Sequence, residues 1–146
     1  MHNLYFLLIK KESKNMEKER SRARNILENK GFVTQQDSYW GGGKCDWFVI
    51  GGRWSGILTQ ALGQIPIQDT RKKTSQRDTY NHLGYDDDSM VLTRKLLDGL
   101  QHNKEPQLAY LNGVEVYDED NHEEKIISDL TTDDIGKVIV VVDYHI

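Results

Sequence analysis

Between Tyr39 and Gly56 the chain reads "YWGGGKCDWFVIGGRWSG", which collects all three tryptophans, the sole cysteine and six of the twelve glycines of the 146-residue sequence. Aromatic faces, glycine-rich backbone and one arginine are the ingredients of a site that holds a flat, anionic molecule. Indole rings stack on planar groups. Glycines let a ligand approach main-chain N–H groups. A guanidinium offers a planar fork to carboxylate or phosphate. The residues that carry this reading are Trp40, Trp47, Gly51, Gly52, Arg53 and Trp54.

Each has a structural reading beside the chemical one. Trp47 and Val49 alternate with Phe48 and Ile50, so a strand here has two apolar faces, and its tryptophan belongs either to a core or to an aromatic wall. Arg53 either meets a ligand or pairs with Asp46 across the Gly51-Gly52 bend. Neither glycine run has the spacing of a P-loop or a dinucleotide fingerprint. Cys45 has no histidine near it in sequence and reads as a small buried hydrophobe. Asp143 and His145 share one face of a strand and are compatible with acid–base work, but two such side chains do not make a metal site. His82 sits in a long polar stretch. The acidic run from Asp118 has Glu123 at its sixth place and Asp129 at its twelfth, which rejects an EF-hand. No metal and no cofactor is expected.

The elements that must position these groups follow from pattern. "NLYFLLIK" is a strand covered on both faces. A helix runs from about Lys14 to Lys30 with the stripe Met16, Ala23, Ile26 and Leu27, and Gly31 closes it as a left-handed cap. "CDWFVIG" is a strand, and "RWSGILTQAL" returns as a second one after the glycine bend. Residues 68–88 form a long loop, available as a lid. Ser89 or Asp88 caps a helix that buries Leu92, Leu96, Leu97 and Leu100. "PQLAYLNGVEVYDED" reads as a hairpin turning at Asn112-Gly113. Thr132 caps one helical turn, and "KVIVVVDYHI" is a central strand. The order predicts a single α+β domain over 1–146: a mixed or antiparallel sheet with helices on one face, ferredoxin-like with an inserted hairpin, the first and last strands being central neighbours.

Composition sets bounds. The formal charge of −4 argues against general nucleic-acid binding. A single cysteine excludes an internal disulfide framework. No apolar run approaches the roughly 20 residues of a membrane span, and "LYFLLI" followed by "KK" is the reverse of a secretory signal, so a cytoplasmic location is expected.

At "DWFVIGGRWSG", Asp46 to Gly56, together with the "VDYHI" tail, Val142 to Ile146, the chain resembles small uncharacterised phage and prophage proteins. Cys45 and Tyr144 stand where that pattern has a tryptophan and a cysteine. The resemblance implies a phage or mobile-element setting, hence a host cytoplasm, and carries over no activity. Three functions follow as expectations. The first is a phage-type protein binding a small anionic, nucleotide-like ligand, such as a host-defence signal. The second is a phosphoester or nucleotide hydrolase using Asp143 and His145 with Arg53 on the anion. The third is an inhibitor of a host enzyme acting through the acidic residues 115–124. The sequence leaves a homo-oligomer open.

Overall fold

Strand β1 (His2–Ile9) and strand β6 (Val138–His145) are the two long apolar runs, and they pair antiparallel over their whole length, from His2 opposite His145 to Ile9 opposite Val138. The structure, a computed structural model, describes residues 1–32, 43–64 and 88–146. Continuous apolar strands have two faces to bury, and alternation sorts them. Tyr5, Leu7 and Ile9 join one core with Val138, Val140 and Val142, whereas Phe6 and Leu8 join another with Ile139 and Val141.

The sheet is mixed, in the order β2-β6-β1-β4-β5, with β3 also on β6. Strand β4 (Glu115–Asp118) runs parallel to β1, and every other pairing is antiparallel. The α+β class, the mixed sheet and the central β1–β6 pair are thus as expected. A ferredoxin-like arrangement is not confirmed, because the sheet contains the parallel β1–β4 pair. Helices also cover both faces rather than one. Helix α1 (Met16–Asn29) lays Ala23 and Leu27 on the Tyr5 side; α2 (Ile57–Ala61) and α3 (Arg94–Gln101) lie on the Phe6 side. The physical reason is the one that built the central strands: both of their faces are apolar.

Helix α1 starts at Asn15, whose side chain accepts from the Glu17 N–H at 2.9 Å. It ends as expected at Gly31, with φ of 72°, where Phe32 N–H reaches the Leu27 carbonyl and Gly31 N–H that of Glu28. Helix α3 buries Leu96, Leu97 and Leu100 and packs beside Leu92. Its cap is Thr93, which accepts from Leu96 N–H at 3.1 Å, and Ser89–Val91 forms strand β3 instead. Thr131, one residue before the expected Thr132, caps the turn Thr132–Asp134.

Two further expectations are corrected. Residues after the Gly51-Gly52 bend do not return as a strand: a 3-10 turn, Gly52–Trp54, leads into α2, all five of whose residues are buried. Burial all round leaves no helical period to read in so short an element. The hairpin does not turn at Asn112-Gly113. Gly113 lacks the positive φ a type I′ turn requires, and Pro106–Gly113 is a 3-10 helix opened by its proline. The hairpin lies one step later, β4 to β5 (Glu123–Ile126), turning where His122 adopts φ of 53°.

Strands β2 (Trp47–Ile50) and β3 lie end to end along β6, β2 beside residues 142–145 and β3 beside 138–140. Val141 stands at the join. Its carbonyl accepts from Gly51 N–H at 2.7 Å and its own N–H donates to the Asp88 carbonyl at 2.8 Å.

Candidate functional site

The site forms where β1 begins, β6 ends and β2 joins them. His145 is opposite His2 on one side and opposite Trp47 on the other. Period-two alternation then places His2, Asp143, His145 and Trp47 toward one face, the face that carries Phe6 and Val141 deeper in the sheet.

Asp143 is only 3% exposed, yet both carboxylate oxygens are partnered. Oδ1 lies 2.8 Å from His2 Nδ1, and Oδ2 accepts from the Arg53 backbone N–H at 2.8 Å. A buried carboxylate is tolerable when it is hydrogen-bonded in this way. Because a carboxylate accepts, His2 Nδ1 carries the proton in this pair. The Gly51-Gly52 bend makes the contact with Arg53: φ values of 80° and 57° turn the chain so that the amide after the bend points back at Asp143.

Three rings meet above it. Trp47 and His145 are stacked, with centroids 5.3 Å apart and planes 3° from parallel, and His2 meets both edge-on at 5.4 Å. His145 Nε2 is 3.1 Å from the Met1 nitrogen; its Nδ1 is buried, 3.7 Å from Asp46 Oδ2 and therefore outside hydrogen-bond range. Trp47 itself is 43% exposed, so it is not a core residue.

The expected residues therefore fall into distinct places. Trp47 and the backbone of Arg53 are brought together with Asp143 and His145. Arg53 forms no ion pair with Asp46: its guanidinium is exposed and has no carboxylate partner among the described residues. Gly51 and Gly52 are buried and back onto the carboxyl groups of Asp88 and Asp143. Trp54 lies in the core with Leu58 and Leu97. Trp40, His82 and the stretch 68–87 lie outside the described residues. Cys45 is buried, and burial, with Asp46 adding to it against Lys44, pushes its thiol up to about 11.

Sequence reasoning passed over His2. Its signal was available in the expectation that the first and last strands are neighbours, since an eight-residue antiparallel register sets residue 2 against residue 145. It also passed over Asp88, which accepts from Ser55 Oγ at 2.9 Å and faces Arg20 at 3.6 Å, behind the glycine bend. Among the described residues, no three metal-ligating side chains converge, and no helix is long and apolar enough to cross a membrane.

Comparison with protein-family models, curated proteins and solved structures returns no match to this chain.

Proposed function

We propose that the chain binds a small anionic, ring-bearing compound of nucleotide type at the corner formed by Trp47, Arg53, His2 and His145. One observation carries the reading: a half-exposed indole stacked on His145 lies at the site to which the Arg53 backbone N–H is tied, and the exposed Arg53 guanidinium has no carboxylate partner among the described residues. An aromatic group already stacked before capture lowers the ordering cost of binding. The likeness to phage proteins supplies a setting in which such a compound is a host-defence signal nucleotide.

The acidic residues 115–124 gain no comparable support as a surface for a basic partner. Glu115 and Glu124 face Lys44, Asp118 faces Lys125 and Lys137, Glu119 faces Lys30, Asp120 faces Lys137 and Glu123 faces Lys125. A field neutralised this locally does little steering.

Calorimetric titration with cyclic mononucleotides, cyclic dinucleotides and ADP-ribose tests the proposal. Saturable binding by at least one of them is expected, and heat traces indistinguishable from dilution across all three classes would overturn it.

A further inference from the structure

Resting on that reading, we infer that the site also transforms its ligand, His2 exchanging a proton with the 2′-hydroxyl of a ribonucleotide phosphodiester bound against Trp47 and Arg53. Asp143 is the positioning residue. Its Oδ1 fixes His2 Nδ1 as the protonated nitrogen at 2.8 Å, which leaves the Nε2 lone pair as the reactive one. Nε2 has no hydrogen-bond partner among the described residues and is not sealed from solvent. Asp143 is in turn held by the Arg53 amide, so the aspartate that orients the imidazole is itself tied to the residue whose cation would meet the phosphate.

His145, the imidazole expected from sequence to work with Asp143, is not engaged by it. Its Nε2 faces the Met1 nitrogen and its Nδ1 is buried. One imidazole must then serve both as base and as acid.

The substrate class follows from what the described residues do not supply at this corner. The Cys45 thiol is buried and points at the Phe32 carbonyl, and the Ser55 hydroxyl is buried and donates to Asp88. A substrate that carries its own nucleophile needs neither of them. A hydroxyl adjacent to the phosphate is already at high effective concentration. In the step, His2 Nε2 takes the 2′-hydroxyl proton as O2′ bonds to phosphorus. The bond from phosphorus to O5′ breaks, and His2 returns the proton to O5′. A 2′,3′-cyclic phosphate and a free 5′-hydroxyl result, with no other reactant. The Arg53 cation would stabilise the negative charge that builds on the phosphoryl oxygens.

The test uses adenylyl-(3′→5′)-adenosine and its 2′-deoxy analogue, each incubated with the wild-type chain, His2→Gln and Asp143→Asn. The glutamine keeps a donor for Asp143 and cannot carry the proton. Expected are adenosine and adenosine 2′,3′-cyclic phosphate from the ribo compound only, with kcat lowered by at least about a hundredfold in His2→Gln while KM is kept. Asp143→Asn should lower kcat with KM again little changed. Binding of the dinucleotide without turnover, or no binding of it at all, would overturn this inference alone, the binding reading standing or falling by the titration with cyclic nucleotides and ADP-ribose. Turnover that survives His2→Gln, or a 3′-phosphate formed without a cyclic intermediate, would also overturn it.

Discussion

Gly52 lies against the carboxylate of Asp143 so closely that a β-carbon on it would meet Oδ2 at 2.4 Å. The same residue holds φ of 57°, so both space and backbone conformation demand glycine. Gly52→Ala should destabilise the fold by about 1–3 kcal/mol and displace Asp143 from the Arg53 amide. Urea midpoints report the first effect and ligand titration the second. An alanine variant with wild-type stability and affinity would contradict the packing described.

Arg53 separates backbone from side chain. Its guanidinium is exposed, so Arg53→Ala should change stability by no more than about 0.5 kcal/mol. Affinity for the anionic ligand should fall about ten- to a hundredfold, the loss of one charge-assisted contact. Arg53→Pro should behave oppositely. It removes the N–H that satisfies buried Asp143 Oδ2 and should cost about 1–3 kcal/mol or more. Equal stability losses in the two variants would show that the side chain, not the amide, carries the structural role.

Asp118 gives the acid limb of stability. Burial alone would raise its carboxyl, but hydrogen bonds from Asn121 and Lys125 and the charge of Lys137 outweigh burial and hold it below its ordinary 3.8. A carboxyl lowered in the folded state contributes stability above its unfolded value, and that contribution is lost as pH falls through the folded one. Stability curves of the wild type should therefore drop more steeply below pH 3.8 than those of Asp118→Asn. Parallel curves would assign the acid loss to other groups.

Cys45 should be inert. With its thiol pushed up to about 11 by burial, the reactive thiolate is scarce at pH 8, and disulfide-exchange reagents should modify the folded chain about a hundredfold more slowly than the unfolded one. Rapid, stoichiometric labelling under native conditions would place the thiol at the surface.

Much of the scaffold was legible because its signals are local or periodic. The apolar runs named β1 and β6, Gly31 named the end of α1, and the spacing of Leu96, Leu97 and Leu100 named a buried helical stripe, although Leu92, read as part of it, lies ahead of the Thr93 cap and outside the helix. Elements lacking a period were misread. Fully buried α2 looks like a strand, and Asn112-Gly113 looks like a turn until Pro106 opens a 3-10 helix ahead of it. For the site, Trp47, Arg53, Asp143 and His145 were visible as chemistry, but their partnership was not. Asp143 is joined to His2 at 2.8 Å across 141 residues of chain, and only strand register brings such residues together.

The join at Val141 sets the terms on which this protein can change. The whole excursion from Gly51 to Asp88 leaves and re-enters the sheet at the two ends of one peptide unit's neighbourhood, so its feet stand on a single residue of the central strand. The span between the feet does not depend on how much chain lies between them. Loop-closure entropy grows only with the logarithm of that length. Both feet are thus held by Val141, and the first of them, the Gly51-Gly52 bend, also holds Asp143 through the Arg53 N–H, so the register of β2, β3 and β6 and the geometry of His2 and Asp143 are set around one residue of the central strand. The sheet serves as a socket, and Val141 is where both feet are seated.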